Sequence, residues 1–233
     1  MSNFAQISIL SMKKIVLTIM ASLMCTGVFA QEWIFGILGG GNIASIAGEG
    51  YVDIGTGETL SGSNNRPLGG GFVGALIQCD FDNWGLRSEV YYSQQGSKIN
   101  ISETYPELGR IDFTTSRRSN NINVPVLAYI KLLDDRLSIM AGPTLGFCLS
   151  GTDYLGNINR PGLVPEKIKW AKSGYNVLDI AATIGAEFMF IDSVGILLRF
   201  SHGFRDVFTS DGIEPAYGKN NVIQIGVEYK FGR

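Results

Sequence analysis

The chain has little of what most enzymes are built with. It carries one histidine, His202, and three cysteines in 233 residues. A lone imidazole and scattered thiols exclude a zinc site, which needs three or four clustered N or S ligands. Charge is sparse too: 17% of residues are charged and the net charge is −2. That leaves no basic footprint for nucleic acid. Glycine pairs with no phosphate motif: Gly39–Gly41 and Gly69–Gly71 lack the Gly-Lys-Ser/Thr ending of a P-loop and any following helix. Long apolar runs are also missing. The stretch Ile15 to Met24 is too short for a comfortable helical span, and no stop-transfer pattern follows it.

That stretch has another reading. Lys13 and Lys14 precede it, and Val28 and Ala30 put small residues before Gln31. A basic start, an apolar core and a small-residue cleavage site make a secretory signal peptide over residues 1–30, with Met12 the expected true start. Met24 before Cys25 is not the small residue that a lipidation site needs. The mature part, 31–233, is then one domain of about 200 residues. Export permits disulfides, yet only Cys79 and Cys148 would remain, which is no disulfide framework.

What the chain has in quantity is alternation. In 121–132, Ile122, Val124, Val126, Ala128, Ile130 and Leu132 face one way, and Asn121, Asn123, Pro125, Leu127, Tyr129 and Lys131 the other. In 178–190, Ile180, Ala182, Ile184, Ala186, Phe188 and Phe190 oppose Asp179, Thr183, Gly185 and Glu187. In 223–231, Ile223, Ile225, Val227, Tyr229 and Phe231 oppose Gln224, Gly226, Glu228 and Lys230. Period-2 patterning predicts strands. Eight are expected, near 32–42, 68–80, 83–93, 119–133, 136–149, 174–190, 193–205 and 219–231. The first two are glycine-rich ("GILGGGN", "GGGFVGALIQ"), and their faces stay ambiguous.

The connections alternate as well. "DFDN" at 80–83, "DD" at 134–135 and "IDS" at 191–193 are short, and polar stretches near 43–67, 94–118, 150–173 and 206–218 are long. Long and short in turn is the rhythm of an all-β, eight-stranded, antiparallel up-and-down barrel. One strand face is apolar throughout and the other holds the charges. Trp33, Trp84, Phe188, Phe190, Tyr229 and Phe231 cluster near the short-turn end, as an aromatic girdle would. The expected surroundings are therefore lipid, and the expected location is the outer membrane.

Several stretches carry a family resemblance: "NINVPVLAYIKL" (121–132), "AGPTLGF" (141–147), "VLDIAATIGAEF" (177–188), "LLRFSHGFRDV" (197–207) and "VIQIGVEYKF" (222–231). With these the chain resembles the PorT-like, OmpA-like outer-membrane β-barrel proteins of Gram-negative bacteria. The resemblance covers nearly all of the mature chain. It implies the barrel fold and, as one option, a part in a secretion assembly. One departure is that Gly232 and Arg233 follow Phe231, whereas such barrels commonly end on an aromatic residue.

With apolar faces outward, the inward charges are Arg87, Glu89, Lys131, Asp179, Glu187, Arg199, Glu228 and Lys230. Four are positive and four negative, as a self-neutralising plug needs, because an eight-stranded barrel encloses only its own side chains. His202 shares parity with Leu198 and Phe200 and is expected on the outside, with Ser201 turned the other way. A surface Ser–His hydrolase needs both on one face. No catalytic, cofactor-binding or metal-binding residue is therefore assigned. The loops are where recognition is expected. One of them carries Arg160, Lys167, Lys169, Trp170 and Lys172, a set suited to lipopolysaccharide contact or to a protein partner, and Arg117 and Arg118 extend the same basic rim. The leading expectation is a non-enzymatic outer-membrane barrel, structural or part of a surface or secretion assembly. A lipid-modifying enzyme (deacylase or acyltransferase) and a secreted ligand-binding barrel are the alternatives.

Overall fold

The computed structural model describes residues 32–47, 50–53, 59–62, 65–105, 109–156, 166–170, 177–206 and 218–231. The signal-peptide region, Cys25, Arg160, Lys172 and the last two residues lie outside them. Among the described residues eleven strands appear: β1 (Glu32–Ala47), β2 (Gly50–Asp53), β3 (Thr59–Gly62), β4 (Asn65–Phe81), β5 (Trp84–Tyr105), β6 (Gly109–Leu132), β7 (Leu137–Gly156), β8 (Glu166–Trp170), β9 (Leu178–Ile191), β10 (Val194–Asp206) and β11 (Lys219–Phe231).

Eight of these close a barrel in the order β1-β4-β5-β6-β7-β9-β10-β11, and every pairing is antiparallel. β11 returns to β1, with Phe35 opposite Phe231 and Ala47 opposite Lys219. Closure leaves no sheet edge through the middle of the wall, so the strands there supply one another's backbone partners, with the ladder interrupted beside Pro125 and Pro143. Tight turns at Asp82–Asn83, Leu133–Arg136 and Asp192–Ser193 lie at one end, together with the first and last strand ends. At the 133–136 turn, Leu133, Asp134 and Asp135 all take positive φ (51°, 53° and 67°). A left-handed leucine is uncommon, and here the short connection between two paired strands imposes it.

The strands run longer than their apolar alternation. The stretch expected to be a loop at 94–118 is largely a hairpin: β5 and β6 stay paired from Gln94 opposite Asn120 out to Tyr105 opposite Gly109. The stretch at 150–173 likewise holds the end of β7 and all of β8, which pairs with β7 from Gly151–Trp170 to Leu155–Glu166. β2 and β3 form a small hairpin inside the expected loop at 43–67. Strands that leave the bilayer meet water on both faces, and the hydrophobic pattern that reveals a strand vanishes there.

The ambiguous faces of the first two strands are resolved. Ile34, Leu38, Asn42, Ala44 and Ile46 of β1 point inward, and Trp33, Phe35, Ile37 and Ile43 outward. On β4, Phe72, Leu76 and Gln78 point inward, and Val73, Ala75 and Ile77 outward. The two glycine clusters face each other, with Gly41 opposite Gly71 and Asn42 opposite Gly70. Glycine here makes room rather than holding phosphate. A Cβ on Gly226 would lie 2.6 Å from Cζ of Phe72, so the bare backbone leaves room for that ring.

Candidate functional site: a filled lumen beneath an extended rim

Inward positions on β5, β9, β10 and β11 converge between the tight-turn end and the middle of the barrel. The Arg87 guanidinium donates through Nε to Glu89 Oε1 (2.7 Å), through Nη1 to Glu187 Oε2 (2.5 Å) and through Nη2 to Glu228 Oε2 (2.6 Å). Lys230 Nζ donates to Glu187 Oε1 at 2.5 Å and stands 3.4 Å from Glu228 Oε1. Arg199 donates through Nη1 to Glu89 Oε2 (2.5 Å) and through Nε to Gln224 Oε1 (2.8 Å). Three cations thus meet three carboxylates, and all six residues are at most 2% exposed. Arginine suits this position because its planar fork reaches three acceptors at fixed angles.

An apolar half completes the plug. Leu38, Phe72, Leu76, Tyr91, Leu127, Tyr129, Met140 and Leu197 form one buried cluster inside the barrel. Arg199 joins the halves: its guanidinium carbon lies 4.5 Å from the Tyr91 ring centre and 5.3 Å from that of Phe72. Its Nη2 makes no hydrogen bond, and the ring faces provide its electrostatic contact. Gly185 lies beside it, where a Cβ would come within 2.8 Å of Arg199 Cβ.

The remaining inward charges are placed differently from the eight-member plug expected. Lys131 belongs to a second group near the tight turns. There it meets Asp80 at 2.7 Å, and Asp80 also accepts from Gln78 Nε2 (2.6 Å) and from the Tyr129 hydroxyl. The sequence pattern places Asp80 in the "DFDN" turn, whereas the structure puts it on β4, facing inward. Its parity with Leu76 and Gln78 was the available signal, hidden by the ambiguous face of β4. Asp179 points inward but stands apart, in the outer half of the lumen. That half is polar, with a cavity of about 30 Å³ lined by Gln95, Ser119, Asn121, Asn123, Asp179 and Asn220, among others. The volume fits one or two waters.

His202 lies on the outer face, half-buried, where its Nδ1–H donates to Asn221 Oδ1 at 2.6 Å. Its ring meets Phe204 edge-on at 5.5 Å. Ser201 faces the lumen, and its hydroxyl lies 2.8 Å from that of Thr183. The serine and histidine are on opposite sides of the wall. Among the described residues no group of three or more His, Cys, Asp or Glu is arranged to hold a metal.

The outside of the barrel is apolar across its middle: Ile37, Val73, Val90, Val126, Ile184, Leu198 and Ile225 are all exposed. Trp33, Phe35, Trp84, Phe188, Phe190, Tyr229 and Phe231 are exposed around the tight-turn end. Toward the opposite end, outward side chains turn polar. The Tyr92 hydroxyl donates to Asn120 Oδ1 (2.6 Å), and Asn120 Nδ2 donates to Ser150 Oγ (3.0 Å). Above that belt, the wall continues as β5, β6, β7 and β8. Of the expected recognition loop, Lys167, Lys169 and Trp170 lie on β8, opposite Tyr154, Thr152 and Gly151.

A closed eight-stranded barrel, apolar outside and ion-paired within, is an outer-membrane β-barrel. The family model described as "Outer membrane protein beta-barrel domain" matches residues 29–209, and the chain belongs to that family. No curated protein matches it. Among solved structures, it is similar to Ail, the attachment invasion locus protein of Yersinia pestis, in complex with the heparin analogue sucrose octasulfate. The identity is 14% and the TM-score 0.44, over 86% of this chain and 99% of that one. It is also similar to Neisserial surface protein A, at 10% identity and TM-score 0.41 over 84% and 97% of the two chains. The outer membrane protease OmpT of Escherichia coli is a third, at 9% identity and TM-score 0.36 over 86% and 96%. Residues 29–209 and the apolar exterior place the protein in the outer membrane.

Proposed function

We propose that this protein is a non-enzymatic barrel with a sealed lumen, acting through its extracellular end as an interaction component of a surface or secretion assembly. The carrying observation is the central ion network. Arg87 alone ties β5 to β9 and β11 across the interior. A lumen filled this way offers no continuous aqueous path, so ions and solutes are not its cargo. The opposed orientations of Ser201 and His202 favour the non-enzymatic reading over lipid hydrolysis. The secretion option rests on the PorT-like resemblance. Recognition is assigned to the wall above the membrane, including β8 with Lys167, Lys169 and Trp170.

Purified protein reconstituted in a planar bilayer tests the sealed lumen. The expected result is no stable large-conductance channel; a steady open pore would overturn it. Mild-detergent pull-down from outer membranes tests recognition. Replacing 160–172 by a short Gly/Ser turn leaves the barrel folded and removes the captured partner. Unchanged capture would place recognition elsewhere.

A further inference from the structure

The outer wall just above the polar belt carries an unbalanced cationic patch. Lys98 of β5 is directly opposite Arg66 of β4. Arg118 of β6 is opposite Gly96, one step along the same face, since Lys98 itself is opposite Ser116. Direct cross-strand partners on one face lie about 5 Å apart between Cβ atoms, and diagonal ones about 7–8 Å. Gln95, Ser97 and Ser119 are buried toward the lumen, so the intervening Lys98 and Arg118 face outward. Arg66 and Arg118 are exposed and Lys98 is partly so. None of the three makes an ion pair with a described residue. Arg117 is excluded from the patch: it has its own interaction and lies on the other face.

This arrangement is unfavourable for the barrel alone, because like charges directly opposite each other destabilise a sheet. Inside the lumen, by contrast, Arg87, Lys131, Arg199 and Lys230 are each matched to a carboxylate. The height of the patch accounts for the exception. Gln94 is level with Asn120 on the polar belt that ends the apolar exterior. Four residues further, at about 3.3 Å each along a strand tilted by roughly 40°, Lys98 stands about 10 Å above it. The headgroup layer is about 5–8 Å deep on each side, and long basic side chains reach down into it along their stems.

We propose that Arg66, Lys98 and Arg118 form a binding site for a phosphate group of an outer-leaflet glycolipid, which neutralises the opposed cations and fixes the depth of the barrel. Arginine supplies bidentate contact to phosphate and lysine a point charge. The site is on the outside of β4–β6, so it is independent of the sealed lumen and of β8.

The test uses the full mature barrel in a zwitterionic detergent, titrated with monophosphoryl lipid A or with the same lipid stripped of phosphate. The wild type binds the phosphorylated lipid at least tenfold more tightly, and binding weakens with salt. The Arg66→Gln/Lys98→Gln/Arg118→Gln variant loses that preference while unfolding at the same midpoint or higher without lipid. The Arg66→Lys/Arg118→Lys variant, which keeps all three charges, retains at least part of the preference and guards against a folding artefact. Equal binding of both lipids by wild type, or an unchanged preference in the glutamine variant, overturns the site. Preference for soluble heparin over the phosphorylated lipid overturns the lipid as its occupant. None of these outcomes bears on channel conductance or on partner capture through 160–172.

Discussion

Arg87 and Glu228 are 141 residues apart in sequence, yet Nη2 of one lies 2.6 Å from Oε2 of the other inside the barrel. The contact exists only when β5 and β11 stand across a closed ring. Arg87→Met would strand Glu89, Glu187 and Glu228 with Arg199 and Lys230 alone as cations. The expected loss is about 3–5 kcal/mol. It is read as a lower urea midpoint in the gel shift of unheated against heated protein. Arg87→Met/Glu228→Gln recovers part of the loss. An unchanged midpoint for the single variant would refute the network's role.

Gly226 and Phe72 set a second test. A Cβ at Gly226 would lie 2.6 Å from the Phe72 ring and 2.7 Å from the Gly39 carbonyl oxygen. Gly226→Ala therefore overpacks the wall, at a cost of about 1–3 kcal/mol. Phe72→Leu in the same chain relieves the ring contact but not the backbone one, so rescue is partial. Full tolerance of the alanine would show that the ring does not lie against this strand.

Cys79 and Cys148 are both free. Cys79 is opposite Trp33 near the tight turns, and Cys148 is opposite Asn121 near the outer belt. The distance between those levels is on the order of 20 Å, beyond the ~7 Å Cα limit for a disulfide. Alkylation of the mature protein unfolded without reductant should add two labels. A mass showing an intramolecular bridge would contradict the strand order.

His202→Ala removes one exterior hydrogen bond, the one to Asn221. The expected cost is about 0.5–1.5 kcal/mol, and wild type and variant alike should release no fatty acid from phospholipid or lipid A. Fatty-acid release that disappears with the imidazole would restore the enzymatic reading.

Much of the barrel was legible in the sequence because a strand half in lipid writes its structure locally. Val126, Ala128 and Ile130 alternate with Leu127, Tyr129 and Lys131, and a period of two needs no knowledge of neighbours. The same alternation turned Arg199 and Glu187 inward and His202 outward. Short turns between those strands set the up-and-down order. Where one face is not apolar, the signal fails. The hairpin from Gln94 to Asn120 stands in water, and the glycines of β1 and β4 carry no side chain to show a face.

The direction of eight inward charges was thus legible in the chain, with Asp80 the one missed, but partnership was not. Asp80, rather than Asp179, meets Lys131, because the register of β5 with both its neighbours sets the end of β4 two strands from the end of β6, across Gly85. Arg87 holds three carboxylates because the ring places β5, β9 and β11 around one axis. The opposition of Arg66 and Lys98 arises from register, shifted by the irregularity between Pro67 and Phe72. Alternation is a property of one strand, whereas pairing across the lumen and register between strands are properties of the closed barrel.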